Sequence, residues 1–250
     1  MGKTPALNAG NHRGLTARMV TGVFALSGLG LIGYAATHQQ HAPQPPLSAA
    51  GSPSSTASPV PTPPSPSPTV ARTSPRAGPR PAAPKVVGPV MSASDPVSLA
   101  IPAIGVRSPL TLRLGQTAQR TIEVPAPGPH YDEAGWYRYS PTPGALGPAV
   151  IVGHVDSAES GPSVFFKLGA LRPRDKVRIT REDGKVAVFA VESVRRFEKS
   201  QFPTQLVYGN TDHAALRLIT CGGAFDRDTG SYTDNIVVLA SLVGEGAQAS

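Results

Sequence analysis

Ala215-Leu216-Arg217-Leu218-Ile219-Thr220-Cys221-Gly222-Gly223 is the stretch on which the reading of this chain turns. Residues 215–220 are short, mostly apolar and end abruptly, the pattern of a buried strand. Cys221, the only cysteine of the chain, therefore stands at the strand's C-terminal lip. Two glycines follow it, and a bare α-carbon lets another part of the chain come close. A second apolar run, Pro148-Ala149-Val150-Ile151-Val152-Gly153-His154, ends in an imidazole. A thiol at one strand end and a histidine at another are the parts of a cysteine nucleophile and its base. Each residue alone has a plainer reading: a lone Cys is commonly a small buried hydrophobe, and a lone His a structural one.

Strand patterns dominate the rest of the C-terminal part. Residues 98–101, 120–124, 136–139, 148–154, 176–180, 186–191, 215–220 and 234–240 read as eight strands. The continuous apolar run 148–154 predicts a central strand. Glu182-Asp183-Gly184-Lys185 predicts a hairpin turn between two of the eight. One helical piece is expected over 162–171, where Val164, Phe165, Leu168 and Leu171 share a face. Many short strands with Gly/Pro turns predict a mainly β fold, a closed barrel or a sandwich.

The chain has 250 residues, and its N-terminal third has a different character. Fifteen of the 28 prolines lie between Thr37 and Val90, among Ser, Ala, Thr and Gly. Proline removes the backbone donor, and nothing apolar is there to bury, so residues 37–94 are expected to be a disordered linker with polyproline II character. Some 50 such residues reach at most about 160 Å. Residues 95–246 are enough for one domain with its own core. Lys3, Arg13, Arg18, Arg72, Arg76, Arg80 and Lys85 precede the first acidic residue, Asp95, so the whole formal net charge of +7 is N-terminal. The folded part is balanced, which argues against a nucleic-acid partner despite the basic isoelectric point.

Residues 19–36 carry no charge, and eighteen apolar residues just span a bilayer. With the basic tail 1–18 before them, they predict a single-pass anchor with the domain outside the cell membrane. The rival is a signal peptide cleaved near Gly33-Tyr34-Ala35. A single cysteine in an exported domain fits a working thiol better than a disulfide framework.

A thiol needs an activating partner, and His154 is the best placed. A cation near the attacked carbonyl would stabilise an oxyanion. Arg227 lies on the loop leaving the cysteine strand, and Arg217, at an even offset from Cys221, shares its face if the strand is regular.

Gly153-His154-Val155-Asp156-Ser157 followed by Leu218-Ile219-Thr220-Cys221-Gly222-Gly223 resembles the sortases, the membrane-anchored cysteine transpeptidases of Gram-positive bacteria, and most of all their actinobacterial class F group. Ile101-Pro102-Ala103-Ile104-Gly105-Val106, Gly135-Trp136-Tyr137 and Phe202-Pro203 extend the likeness. The resemblance implies an eight-stranded β-barrel with short helices. No carboxylate cluster in the sequence reads as a calcium site, so no metal or cofactor is expected. The resemblance also implies that Cys221 attacks the Thr–Gly carbonyl of an LPXTG-type sorting signal, that a cell-wall precursor amine resolves the acyl-enzyme, and that His154 moves the protons. The family pattern Thr-Leu-x-Thr-Cys departs here, with Arg217 in its first position. The family's catalytic arginine lies downstream of the cysteine; a gapless comparison puts Thr233 or Asp234 near its place, and Arg227, the only downstream arginine, inherits the role. Phe202, Val207, Tyr208 and Gly222 are the implied peptide contacts.

Other cysteine enzymes of the cell wall fit less well. Papain-like hydrolases place Cys before His, and L,D-transpeptidases carry a Ser-x-Gly-Cys motif that is absent. The rival of another class is a non-catalytic wall-binding module on a Pro-rich stalk.

Overall fold

The computed structural model describes residues 41–47 and 85–246; the basic tail, the 19–36 run and most of the linker lie outside these. Among the described residues no helix is long and apolar enough to cross a membrane.

The core of the molecule is a nine-stranded sheet. Its strands are β1 (Pro96–Ile101), β2 (Val106–Pro109), β3 (Leu112–Leu114), β4 (Gly135–Tyr137), β5 (Gly147–Val152), β8 (Lys176–Arg181), β9 (Val186–Glu198), β10 (Ala214–Asp226) and β11 (Ser231–Gly246), in the order β2-β1-β8-β9-β11-β10-β5-β4-β3. A small hairpin, β6 (Asp156–Ser157) with β7 (Gly161–Pro162), stands apart. Leu99 of β1, Ile179 of β8, Phe189 of β9, Val238 of β11, Leu218 of β10, Ile151 of β5 and Trp136 of β4 all belong to one buried cluster. A single sheet can gather side chains from so many strands only by curling round them, so the architecture is barrel-like.

The sheet has nine strands rather than eight. The short pieces β2 and β3 escape a sequence reading because Val106-Arg107-Ser108-Pro109 carries two polar residues and a proline, marks of an edge. Residues 120–124, expected as a strand, contribute only the Gln116–Ile122 bridge. The Thr117 and Thr121 hydroxyls bond each other at 2.7 Å, and the Thr117 N–H donates to the Thr121 carbonyl, which closes a turn instead. The helix expected over 162–171 is a series of turns ending in a 3-10 helix, Leu168–Ala170. Its apolar residues still face inward: Phe165, Leu168 and Leu171 are buried. The one α-helix among the described residues, α1, is Thr204–Tyr208.

β5 is buried along its whole length. Ala149 and Ile151 face the main core, while Val150 and Val152 face a second cluster with Ile219, Val237, Phe197 and Val207. Apolar neighbours on both faces explain its unbroken apolar sequence. β10 runs parallel to β5 and antiparallel to β11.

Part of the Pro-rich segment lies on the domain. Leu47 bridges Arg196 of β9, Pro45 is buried, and the Gln44 side-chain oxygen accepts a hydrogen bond from the Gly223 N–H at 3.0 Å. A Cβ on Gly222 would lie 3.0 Å from that same oxygen, and one on Gly169 would collide with the Pro43 carbonyl. The glycine after Cys221 thus admits a close neighbour, and the neighbour is the chain's own segment 42–47. Met91 also joins the core, so packing begins before Asp95.

Candidate active site

The pairing of β10 with β5 places the site. Its parallel register runs from Ala214↔Gly147 to Ile219↔Val152, a constant offset of 67 positions. Carried two residues further, the same offset sets His154 beside Cys221. The Gly153 N–H still donates to the Ile219 carbonyl at 3.2 Å, so the strands have not diverged there. Side chains alternate along a strand, so Val152 and His154 share a face, as do Ile219 and Cys221. All four line one cleft of about 670 Å³.

Gly153 has no side chain because none fits: a Cβ would meet Val164 Cγ1 at 2.7 Å and Phe165 Cδ2 at 2.8 Å. The His154 carbonyl accepts from the Phe165 N–H at 3.0 Å. Its ring stacks on Tyr131 with centroids 4.0 Å apart and planes 3° from parallel. His154 Nε2 lies 2.8 Å from the Pro125 carbonyl oxygen. A carbonyl only accepts, so Nε2 carries a proton and Nδ1 is the nitrogen that gains and loses one.

Two tyrosines complete this end of the barrel. Tyr131 donates its hydroxyl to the Asp156 carbonyl at 3.1 Å, and Tyr232 donates to the Asp156 carboxylate. Both phenols are held above their ordinary pKa, by burial first and then by negative charge at Asp156 and Cys221.

Of the residues expected to contact a peptide, Phe202 and Tyr208 line the cleft, with ring centroids 5.7 Å apart. Burial, then the neighbouring Tyr137, pushes the Tyr208 phenol up to about 12. Val207 does not line it: on α1 it points down and is fully buried in the second cluster. Gly222 does not either, because strand alternation turns it to the opposite face, against Ile236 and Gln44. Ile122, Val124 and Tyr137 supply the remaining apolar wall, and Arg120 and Lys199 are its cations.

The two arginines weighed as oxyanion donors both lie elsewhere. Arg227 is exposed in the turn between β10 and β11, where Asp226 accepts from the Asp228 N–H and the Thr229 hydroxyl. It is not among the cleft residues. Arg217 does share the face of Cys221, but four residues of strand are about 13 Å. It is buried at 5% exposure, and burial lowers its pKa. Tyr131, the Pro125 carbonyl and Asn235 belong to the site and carry no sequence signal: the first two come from an irregular loop, and Asn235 is identified only by register.

The family model described as Sortase domain matches residues 99–243, more than half of the chain. Among solved structures, the chain is similar to sortase A of Listeria monocytogenes (16% identity, 64% of this chain and 93% of that one, TM-score 0.45). It is similar as well to sortase A of Corynebacterium diphtheriae (19%, 61% and 63%, 0.44) and to sortase C-1 of Actinomyces oris (20%, 60% and 76%, 0.44). No curated protein matches it. Because the matched stretch runs from β1 to the last strand and takes in both His154 and Cys221, the chain belongs to the sortase family.

Proposed function

We propose that this protein is a cysteine transpeptidase of the class F kind, anchored by residues 19–36, that cleaves an LPXTG-type sorting signal and passes the acyl group to a cell-wall amine. The observation that supports the reading is the β5–β10 register, paired as far as Ile219↔Val152, with Cys221 and His154 each two residues further on and both lining one apolar cleft. His154 takes the Cys221 proton on Nδ1. The thiolate attacks the Thr–Gly carbonyl carbon, and the electron pair moves to the oxygen. Collapse of that intermediate breaks the C–N bond, and the imidazolium gives its proton to the departing amine. An incoming amine then loses a proton to His154, attacks the thioester and releases the thiol. Phe202, Tyr208 and Tyr137 give the cleft an apolar, aromatic wall suited to the Leu-Pro end of the signal.

The test is mass spectrometry of the full chain incubated with an LPXTG peptide. An acyl adduct on Cys221 is expected. Cys221→Ala should form none, and His154→Ala should lose turnover with an unchanged fold. A chain that binds peptide without acylation would be a wall-binding module, and turnover by Cys221→Ala would end the transpeptidase reading.

A further inference from the structure

We propose that the side-chain amide of Asn235, and not a cation, is the oxyanion donor of this site; the inference rests on the acyl-transfer reading above. Cys221 and Asn235 are direct partners in the antiparallel β10–β11 register. Residues facing each other across such a pair have Cβ atoms about 4.5–5.5 Å apart and point to the same side. Asn235 accordingly lines the same cleft as Cys221 and His154. Its side chain is half-buried and has no hydrogen-bond partner among the described residues. Of the other polar side chains near Cys221, His154 is engaged with Pro125, and Tyr131 and Tyr232 with Asp156; the Thr220 hydroxyl is buried without a partner, but strand alternation turns it away from the thiol.

Three neighbouring chain segments thus present three groups in a row: His154 two residues beyond the end of β5, Cys221 from β10 and Asn235 from β11. Adjacent strands are about 4.8 Å apart, so the imidazole and the amide flank the thiol on opposite sides. A carbonyl carbon over the sulfur then has its nitrogen toward the acid and its oxygen toward the amide N–H. That division is what acyl transfer requires, because the leaving amine needs a proton while the oxyanion needs a donor. An amide carries no charge, so its contribution depends on being held in place and shielded from water. The strand backbone supplies the placement. Of the cleft's two cations, Arg120 reaches in from the Thr117–Thr121 turn, and Lys199 is bonded to the Ser231 hydroxyl at 2.7 Å.

The test compares two reagents on Cys221 in the full chain. p-Nitrophenyl acetate is attacked at a carbonyl and generates an oxyanion; iodoacetamide is displaced at a saturated carbon and generates none. Asn235→Ala should acylate about 10²–10³-fold more slowly while alkylation stays within about twofold of wild type. Asn235→Asp keeps the shape and removes the donor, and should lose at least as much acylation. Equal loss with both reagents would mean that Asn235 acts on the thiol, and would overturn the proposal. So would full acylation by either variant, or loss of acylation in Arg120→Ala with Asn235→Ala unaffected. The ester requires no peptide recognition, so a wild-type protein that acylates with it but ignores LPXTG peptides would overturn the substrate reading while leaving the Asn235 comparison intact.

Discussion

Gly153→Ala tests the join between the core and the histidine. The added Cβ would meet Val164 Cγ1 at 2.7 Å and Phe165 at 2.8 and 3.1 Å, all inside normal contact. Gly153 does not have a positive φ, so the cost is packing rather than backbone strain. Phe165 is completely buried and cannot swing into solvent. Overpacking of this kind costs about 1–3 kcal/mol. For a domain of this size that lowers Tm by about 2–12 °C. The displaced Phe165 also carries the N–H bonded to the His154 carbonyl, so the strain reaches the imidazole. A shift of about 1 Å at a reacting group can cost about 10²-fold in rate, so acylation of Cys221 should fall even where the protein is fully folded. Thermal unfolding and acylation rates would be measured for Gly153→Ala, Phe165→Leu and the double variant. The smaller leucine makes room for the methyl group, so the pair should be less destabilised than the sum of the singles by about 0.5–3 kcal/mol. Additive effects, or a Gly153→Ala protein within about 1 °C of wild type, would refute the argument.

Arg227→Ala should retain nearly full acyl-transfer activity, since its side chain lies in an exposed turn outside the cleft; a loss approaching that of Asn235→Ala would return the oxyanion role to the arginine. Arg181→Ala should destabilise the domain by about 2–6 kcal/mol in chemical denaturation, about 1–3 kcal/mol for each of the two carbonyls left unpaired. Its buried guanidinium donates to the Pro143 and Ser92 carbonyls at 2.9 and 2.5 Å and to Asp183 at 2.8 Å, all of which would lose their partner. Raising the pH should weaken the fold from about pH 10, the ordinary tyrosine pKa. Tyr208 is held up to about 12 in the folded chain, so the unfolded chain ionises first; its contribution is complete below pH 10 and is lost on the way to 12. Tyr208→Phe should reduce that alkaline loss in denaturation curves.

The long apolar strands were legible in the sequence because burial on both faces writes itself as an unbroken run, as in β5. The turn at 182–185 was legible because Gly184 must adopt a positive φ. The short edges β2 and β3 were not, since three or four residues carry no period. Residues 120–124 alternate like a strand, yet they pair only with 115–117 across the tight turn that the Thr117–Thr121 bonds close, and never join the sheet. At the site, Cys221 and His154 stood out as chemically rare residues after apolar runs; the strand does not end at Cys221 as expected, since β10 continues to Asp226 paired with β11, and the 67-residue separation became informative only once β5 and β10 were seen to be parallel. Arg217 shows the limit of face arguments: parity put it on the correct side, and strand rise carried it out of reach. Asn235 is an unremarkable residue type whose meaning comes entirely from which residue it opposes.

The docked segment 42–47 bears on where the chain can be cut. A fragment begun at Asp95, the boundary that composition suggests, discards Met91 from the core. It also strips Gln44 from the Gly223 N–H, two residues beyond the thiol, and uncovers the rear of Gly222. Starting at residue 85 restores the methionine but not the glutamine. Only a fragment that begins at or before Gln44, and so carries the intervening Pro-rich residues with it, keeps both. Thiol reactivities measured on the shorter and longer fragments therefore belong to two different surroundings of the same cysteine.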